Sequence, residues 1–574
     1  MPHQKKVVED DYMYDFKYNV SLPTVDRLGT SFAEGTDVDR VAGDFVDEFE
    51  RALKGTDGDA LAGLFLEDGE SPLSFFFFRS LAVLSCYVTS RCSLWSFVYR
   101  SGRNRCRILY TYIGVWRDKV VFTWEYRTFN GASLIKSAAQ DLLPRTPTKS
   151  FRVISPGATL EHPYPDLQYV QVHFAFETDK VGASAVANLV QTKEGVKVWT
   201  LHTAIESLLD FPELPNRDGH MVGPLSWMAQ RELDTRFDDQ QPDVVIIGGG
   251  HNGLMMAARL KALGVPALVV ERNDRVGDNW RKRYEALSLH FPHWADHLPY
   301  MPYPDHWPVY TPAAKLGDWL EWYASAMELY IWTQATVASC HQSAEDGSWE
   351  LQVDRVGHER RTLNPKHVVM ATSLAGVPML PSIPGMEGFQ GTVRHSTAHD
   401  SSREWIGKKV LVVGTSSSGF DTAYDFARRD IDVTILQRSP TYLMSLTHSV
   451  PRIIGSYEPK MGGAKPDLDL VDRAAYSMPV GPGEELGRRL AGELAELDKK
   501  LIDDMEASGF KTYLGQRETG TQTLGYTRNG GFYFDAGACE QVIQGKIKVA
   551  QGAIERQVHR FRTTQNPSLI GIEI

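Results

Sequence analysis

The sequence predicts an α/β fold in which two βαβ units of one type follow a separate α+β domain. Two stretches, starting near residues 243 and 408, consist of a buried strand, a glycine-rich turn, a helix and a second strand. Upstream, helical spacing of apolar residues at 38–53 is followed by two-residue alternation at 170–176. Helices followed by strands within one segment are typical of an α+β domain.

Composition limits what the protein does. The chain has 574 residues and a net charge of −11, which disfavours nucleic acid and anionic membranes as main partners. Its five cysteines contain no C-x-x-C pair, so we expect neither a disulfide framework nor a dithiol redox centre. This cysteine usage is typical of a reducing compartment, and we therefore expect a cytoplasmic location. The polar N-terminus has no apolar h-region, so we expect no secretory signal.

We interpret residues 1–35 as an N-terminal arm and residues 36–207 as the α+β domain. Within it, Leu64–Gly69 and Trp116–Trp124 resemble the NTF2-like (SnoaL-like) fold, whose members hold a pocket or form dimers. No acid/base pair stands out in this domain. We therefore expect it to serve as a scaffold and to form a homodimer rather than to catalyse a reaction.

A segment of unusual composition interrupts this domain, and we assign it as an atypical insertion at residues 70–115. Residues 71–117 contain seven arginines and the run Phe75–Phe78, but no Asp, Glu or Lys. Three interpretations stay open: a membrane or partner-binding loop, an extra hairpin, or sequence that is not native coding sequence, such as an unspliced intron. We favour the third. Residues 208–242, rich in Pro, Asp and Gln, are predicted to be a linker.

The first glycine-rich turn predicts an FAD site. Gly248, Gly250 and Gly253 form a G-x-G-x-x-G between a buried strand and a helix. In that order they permit the tight turn, let the backbone approach a pyrophosphate, and let helix and strand pack closely. Glu271 ends the next strand, where a carboxylate accepts both hydroxyl protons of an unphosphorylated ribose.

The second glycine-rich turn predicts an NADPH site. Gly414 and Gly419 keep the outer glycines, while Ser416 replaces the middle one and Ser417 follows it. Serine is small, and its hydroxyl is expected to bond a phosphate itself. The next strand leads to Arg438, at the position equivalent to Glu271, and a guanidinium there suits a 2′-phosphate through bidentate bonding.

Four further stretches resemble the flavin-containing monooxygenases, especially the plant YUCCA type and related fungal enzymes. Phe389–His399 matches the family pattern F-x-G-x-x-x-H-S-x-x-[YH], and Gly277–Arg281 matches its flavin-contacting G-x-x-W. Leu287–Pro302 resembles L-x-L-H-x-P…L-P-x-M-P, and Gly531–Val549 resembles the family's return towards the flavin domain. The resemblance implies two Rossmann-like dinucleotide-binding domains. It also implies cofactor-binding roles for Asn279, Trp280, Arg281, Phe389, Gly391 and His395.

The family's chemistry follows as an implication of this resemblance. NADPH reduces FAD, O₂ adds at flavin C4a, and the resulting (hydro)peroxide transfers one oxygen to a small organic substrate, while the protein orients the cofactors and excludes water. His290 stands where animal and bacterial members carry an Asn near the flavin. It is our candidate catalytic residue, and the alternative is a packed structural histidine. His293 and His297 lie near it in a Pro-rich loop without a fixed helical face, so we expect no metal site.

The chain departs from the family at three places. Ser373 stands where the family usually has the glycine of an Ala-Thr-Gly crossover, Ser416 replaces a glycine, and the tail after Phe561 resembles nothing in the family pattern. The missing closing strand predicts an open edge on the flavin sheet. The predicted bounds are 243–406 for the first part of the FAD-binding domain, 407–530 for the NADPH-binding domain with a helical insertion, and 531–574 for a truncated return to the FAD-binding domain.

Three alternatives to a monooxygenase of this kind remain at this stage. The chain could be a truncated or misspliced product, catalytically impaired, that acts at most in binding or dimerisation. A flavin disulfide reductase shares the two-dinucleotide plan but needs a cysteine pair that the sequence lacks. A Baeyer–Villiger enzyme lies within the same class, because sequence does not fix the atom that accepts oxygen.

Overall fold

The structure, a computed structural model, divides into two compact units. The first comprises Met1–Pro212 and Asp467–Gly487, and the second comprises Glu213–Pro466 and Arg488–Ile574. The structure describes residues 21–67, 113–214, 225–373, 376–460, 465–554, 556–557, 561–562 and 572–573.

The described residues form helices and strands in both units. The helices are α1 (Val25–Leu28), α2 (Val38–Lys54), α3 (Gly58–Leu64), α4 (Ala132–Leu142), α5 (Trp227–Arg236), α6 (His251–Ala262), α7 (Asp278–Arg281), α8 (Ala313–Ala326), α9 (Ser417–Ala427), α10 (Ser449–Ile454), α11 (Leu468–Ser477), α12 (Val480–Leu497), α13 (Lys499–Ala507), α14 (Thr521–Thr527) and α15 (Ala538–Ile543). The strands are β1 (Val115–Lys119), β2 (Tyr126–Asn130), β3 (Thr148–Tyr164), β4 (Leu167–Thr178), β5 (Val181–Thr192), β6 (Gly195–Leu208), β7 (Val244–Ile247), β8 (Ala267–Val270), β9 (Ser288–Pro292), β10 (Tyr310–Pro312), β11 (Tyr330–Trp332), β12 (Ala335–Gln342), β13 (Trp349–Arg355), β14 (Arg361–Leu363), β15 (His367–Met370), β16 (Lys409–Val413), β17 (Asp432–Gln437), β18 (Tyr442–Ser445), β19 (Phe532–Asp535), β20 (Ile547–Gln551), β21 (Arg556–Gln557), β22 (Phe561–Arg562) and β23 (Ile572–Glu573).

The first unit is an α+β structure, as predicted, built on a six-stranded sheet of order β2-β1-β6-β5-β4-β3. Helix α2 starts where Asp37 accepts a hydrogen bond from the backbone N–H of Arg40. Its apolar face brings Phe45 and Phe49 edge-on to Phe174 of β4, at ring distances of 5.9 and 5.5 Å. The assignment of this unit to the NTF2-like fold stays a prediction.

The other face of this sheet is covered by two segments that the sequence did not place there. Leu22 is fully buried, so the predicted N-terminal arm packs into the unit from residue 21 onwards. Part of the predicted helical insertion, 467–487, belongs to this unit as well. The Arg473 guanidinium of α11 donates to the Glu206 carboxylate of β6 at 2.8 Å. A segment that packs on a sheet hundreds of residues away leaves no local sequence pattern, which is why the prediction missed it.

The predicted insertion is shorter at its C-terminal end than its composition indicated. Residues 68–112, with the phenylalanine run, lie outside the described residues. Val115 and Trp116 are buried in the sheet, and the Gly114 N–H donates to the Leu66 carbonyl oxygen at 3.0 Å. The predicted boundary is therefore wrong for residues 113–115. Strand β1 begins without Asp, Glu or Lys, so composition could not separate it from the segment before it.

Replacing residues 68–112 of the full chain by a Gly/Ser link of about four residues should leave the fold of the first unit intact. The two chain ends are already joined by the Gly114–Leu66 hydrogen bond, so we expect a shift in the melting temperature below about 4 °C. Differential scanning fluorimetry measures this shift. A matched deletion that also removes 113–117 takes out the buried Trp116 and should unfold the unit. A collapse of the shorter deletion as well would contradict the prediction.

The second unit contains two parallel sheets, which confirms the predicted pair of dinucleotide-binding α/β folds. The first has the order β11-β8-β7-β15 and the second the order β20-β17-β16-β23. In each sheet a central strand, β7 or β16, leads into a glycine-rich turn and a helix. Parallel strands buried on both faces are near-continuous runs of Val, Ile and Leu, as Val244–Ile247 and Val410–Val413 are.

The segment from Gly531 does not return to the first sheet as predicted. Strand β19 pairs with β18, and β20 pairs in parallel with β17 of the second sheet. The apolar pattern of β20 identifies a strand but carries no information about which sheet it joins. Among the described residues, no strand pairs with the outer edge of β15, so the first sheet has an open edge there. No helix within the described ranges has both the length and the apolar character to cross a bilayer.

Candidate functional site

The first glycine-rich turn is held by close backbone packing at two of its three glycines. Gly248 has a φ of 112°, and a Cβ there would lie 2.4 Å from the Ala371 carbonyl oxygen. A Cβ on Gly253 would lie 1.9 Å from the Gly248 carbonyl oxygen. A Cβ on Gly250 would meet only the Asn279 amide nitrogen, at 4.0 Å. Close packing within the protein therefore requires glycine at 248 and 253. Gly250, by contrast, borders open space in which a ligand can approach the protein backbone.

Glu271 lies beside this turn, as predicted from its place at the end of β8. Its side chain is buried, with one carboxylate oxygen 2.7 Å from the Gly249 N–H and the other 2.8 Å from the Asn273 N–H. Gly250 provides no side-chain cap to α6, so the first N–H groups of that helix are free of a side-chain acceptor. These groups fit the pyrophosphate and ribose of a dinucleotide.

The G-x-x-W segment contributes unequally to this site. The Asn279 side chain points to the space beside Gly250, and the Trp280 ring stacks on His251 at 5.6 Å. The Arg281 guanidinium has partners within the protein, because it donates hydrogen bonds to the carboxylates of Asp318 and Glu321, each at 2.8 Å. Cofactor binding by Asn279 and Trp280 stays a prediction, while the contacts of Arg281 tie α7 to α8.

The serine that replaces the family's crossover glycine adopts a left-handed conformation. Ser373 has a φ of 68°, which costs a residue with a Cβ about 1–2 kcal/mol. We expect Ser373→Gly to raise the free energy of unfolding by about 1 kcal/mol, measured by denaturant titration. Ser373→Ala keeps the strained Cβ and should give no gain. An equal gain in both variants would mean that the serine hydroxyl, and not the backbone, is responsible.

The second turn repeats the geometry of the first. Gly414 has a φ of 114°, and a Cβ on Gly419 would lie 2.3 Å from the Gly414 carbonyl oxygen. Helix α9 starts at Ser417 without a side-chain cap, which leaves its first N–H groups for a phosphate. Arg438 follows the end of β17 with its side chain exposed, and it pairs with no group in the described part of the chain. A free guanidinium at this position fits a 2′-phosphate.

Ser416 does not have the role that we predicted for its hydroxyl. This hydroxyl donates to the Phe532 carbonyl oxygen at 3.0 Å and accepts from the Gly531 N–H at 3.3 Å. It therefore ties the turn to the start of β19 and has no free donor for a phosphate. A phosphate at this residue would therefore be bound by the backbone N–H and not by the hydroxyl.

The F-x-G-x-x-x-H segment makes mainly structural contacts. Phe389 packs against Leu411 and Leu436 of the second sheet, and Gly391 is exposed. His395 accepts a hydrogen bond from the Thr397 N–H at 3.1 Å, which caps a short 3₁₀ turn. Burial, followed by the charge of Arg283, lowers the pKa of His395. Cofactor binding by Phe389, Gly391 and His395 stays a prediction.

His290 is half-buried on β9, and its partner comes from the second domain. Its Nε2 lies 3.0 Å from one carboxylate oxygen of Asp421 on α9. The Tyr284 hydroxyl donates to the other oxygen at 3.0 Å. Burial, followed by the Asp421 charge, raises the pKa of Tyr284, so this hydroxyl keeps its proton. The Tyr533 ring lies edge-on to the imidazole at 5.8 Å. The His–Asp–Tyr cluster therefore joins the segment after the first turn to the helix that starts at the second.

The prediction missed Tyr284, Asp421 and a third residue, Arg283. The Arg283 guanidinium lies 3.5 Å from the Ser418 hydroxyl, and its buried Nε has no partner among the described residues. One signal for Asp421 was available, because a carboxylate on the apolar face of a helix that starts with Ser417 needs a buried partner. No sequence pattern indicated that Tyr284 is the hydrogen-bond partner of Asp421, since Tyr284 lies 137 residues earlier in the chain.

Comparisons with known proteins agree with this geometry. Residues 245–462 match the pyridine nucleotide-disulphide oxidoreductase family. The chain is 34% identical over 218 residues to indole-3-pyruvate monooxygenase YUCCA1 of Oryza sativa subsp. japonica, across 38% of this chain and 53% of that protein. It is 29% identical over 312 residues to the probable indole-3-pyruvate monooxygenase YUCCA8 of Arabidopsis thaliana, across 54% of this chain and 67% of that protein.

The chain spans about half the length of the curated relatives that it matches first. A solved flavin monooxygenase from Stenotrophomonas maltophilia aligns with 58% of this chain and 77% of its own at 15% identity and a TM-score of 0.40. That likeness is too loose to add to the fold that the two parallel sheets already show.

Proposed function

We propose that the dinucleotide-binding part of this chain is a member of the flavin-containing monooxygenase family, and that the protein is an NADPH- and O₂-dependent flavin monooxygenase. One observation carries the proposal. Two glycine-rich turns lie in one compact unit, and the next strand after each turn is followed by a charged residue, Glu271 after the first and Arg438 after the second. The His290–Asp421 contact joins the two domains. An acid suits FAD at the first turn and a guanidinium suits NADPH at the second.

The residues present fit both cofactors. FAD, when bound, supplies the centre that takes a hydride from NADPH and reacts with O₂. The chain's own part is to hold the nucleotides: backbone N–H groups at the starts of α6 and α9 bind phosphates, and Glu271 and Arg438 select the ribose forms. Asn279 and Trp280 border the space beside Gly250 and are the side chains that we assign to the FAD side of the site.

The direct test is to purify the full chain, record flavin absorbance, and follow NADPH consumption with and without O₂. We expect bound FAD and a consumption of NADPH that stops when O₂ is removed. A colourless protein that is not restored by added FAD would favour the alternative of a catalytically impaired protein that acts in binding or dimerisation. Consumption that needs an added disulfide, and not O₂, would overturn the assignment in favour of a reductase.

Changing Arg438 to alanine should weaken the binding of NADPH and leave the binding of NADH unchanged. Loss of hydrogen bonds between charged groups is worth about 1.5–3 kcal/mol, so we expect the KM for NADPH to rise about tenfold to a hundredfold. Steady-state kinetics with both nucleotides measure this. Arg428→Ala is the matched control, because that exposed guanidinium lies over the Tyr424 ring at the far end of α9. Equal losses for NADPH and NADH would contradict a 2′-phosphate contact at Arg438.

We infer a small carbonyl, nitrogen or sulfur compound as the substrate, in a cytoplasmic enzyme that forms a homodimer through its first unit. The names of the plant relatives make indole-3-pyruvate and other aromatic pyruvates the first compounds to test. Product analysis by mass spectrometry should also include amines and cyclic ketones, since an ester product from a cyclic ketone would mark Baeyer–Villiger chemistry. Light scattering on the full chain tests the homodimer.

A further inference from the structure

We propose that Asp421 is a positioning residue for His290: its carboxylate fixes which imidazole nitrogen carries the proton and which one faces the reaction. The inference rests on the proposed function, because it concerns the same site. It goes beyond that function in assigning the control of the candidate catalytic histidine to the helix of the second nucleotide turn.

The geometry supports this assignment. A carboxylate oxygen 3.0 Å from His290 Nε2 accepts a hydrogen bond, so Nε2 carries the ring proton. Nδ1 is then the nitrogen left to accept a proton and, once protonated, to donate one.

Asp421 is itself held firmly enough to orient a partner. Its side chain is buried and fixed at its second oxygen by the Tyr284 hydroxyl at 3.0 Å. The Tyr533 ring, which lies edge-on to the imidazole at 5.8 Å, is itself stacked on Phe420 with ring centroids 4.2 Å apart. A carboxylate with both oxygens bonded in a buried site has little freedom to release the ring.

The place of Asp421 in the fold links this control to the nucleotide. Asp421 lies one helical turn beyond Ser417, at the start of α9, where we assign the phosphates of NADPH. A phosphate bound at the start of α9 would therefore lie one helical turn from the carboxylate that contacts the imidazole.

The test compares Asp421→Asn, His290→Gln and the double variant, all in the full chain. Without added substrate the reaction is NADPH + H⁺ + O₂ → NADP⁺ + H₂O₂. An amide in place of the carboxylate permits the wrong tautomer, so we expect Asp421→Asn and His290→Gln each to release H₂O₂ about tenfold faster or more. The double variant should show no further change, because Asp421 acts through His290. Additive effects, or an Asp421→Asn protein like the wild type, would overturn the proposal.

Asp425→Asn is the matched control. Asp425 is a second buried carboxylate on α9, one turn further on, and it accepts from the Ser402 N–H at 2.9 Å instead of from a histidine. We expect this variant to lose stability without faster release of H₂O₂. A rise equal to that of Asp421→Asn would mean that any damage to α9 has the same effect, and would overturn a specific role for Asp421.

A readout that needs no cofactor separates this inference from the proposed function. Diethyl pyrocarbonate modifies a free imidazole nitrogen, and peptide mass mapping measures the rate at His290. In the wild type Nδ1 is the unprotonated nitrogen and the ring is held in place by Asp421. Loss of that hydrogen bond in Asp421→Asn frees the ring and lets Nε2 be the unprotonated nitrogen as well, so this rate should rise several-fold in the flavin-free protein, with no change in Asp425→Asn. If the wild type binds no FAD and consumes no NADPH but the modification rates behave as stated, the proposed function fails while the positioning contact stands. Unchanged modification rates in an active enzyme would reject the inference alone.

Discussion

Replacing Gly253 by alanine is expected to weaken FAD binding by up to about a hundredfold. The new Cβ would lie 1.9 Å from the Gly248 carbonyl oxygen, and a backbone atom cannot turn aside as a flexible side chain can. The turn must therefore open, which moves the N–H groups that point at the pyrophosphate. Overpacking of 1–3 kcal/mol corresponds to a rise in the FAD dissociation constant of up to about a hundredfold, and flavin fluorescence titration measures this.

The informative control is Gly250→Ala in the same turn. Gly250 has an ordinary φ of −84°, and its Cβ would meet no atom nearer than the Asn279 amide at 4.0 Å. The flavin-free protein should therefore keep its melting temperature. Its affinity for FAD should still fall by about tenfold, because the methyl group occupies the space where the pyrophosphate approaches the backbone. A Gly250→Ala protein that binds FAD as the wild type does would show that the dinucleotide lies elsewhere.

These two glycines illustrate how much of the site local sequence can predict. A strand, turn and helix are formed by neighbouring residues, so their spacing is written in a short stretch of chain, and both turns were found where predicted. Glu271 and Arg438, at the ends of the next strands, could be predicted for the same reason. By contrast, the partner of His290 lies 131 residues away on another domain, and only three-dimensional packing brings it there.

The errors have the same origin. The Ser416 hydroxyl looked free for a phosphate because its acceptor, the Phe532 carbonyl oxygen, lies 116 residues further on. Strand β20 was assigned to the wrong sheet because a parallel strand carries the same apolar pattern in either one. Local periodicity therefore predicts the elements, whereas the choice among distant partners depends on side-chain packing that one sequence does not display.

The second large effect concerns the first unit, which should lose stability in mild acid because of His202. This histidine is buried on β6, and its Nε2 has no partner among the described residues. Burial, followed by the charges of Lys119 and Arg117, lowers the pKa of His202 from 6.5 to about 3. Between these two values the unfolded chain binds a proton that the folded one does not, so stability falls as the pH drops below 6.5. At about pH 5 the loss amounts to roughly 2 kcal/mol.

His202→Leu isolates this contribution, because leucine fills a buried site and does not titrate. Denaturant unfolding near neutral pH and near pH 5 should show a fall in the free energy of unfolding that is about 2 kcal/mol smaller in the variant than in the wild type. The buried Asp118 has a raised pKa and His173 a lowered one, but both are present in each protein and cancel in the difference. Replacing the exposed His341 by leucine should leave the pH dependence unchanged. If His202→Leu retains the full acid sensitivity, the imidazole takes up its proton at the same pH in the folded and the unfolded chain, which would contradict the prediction.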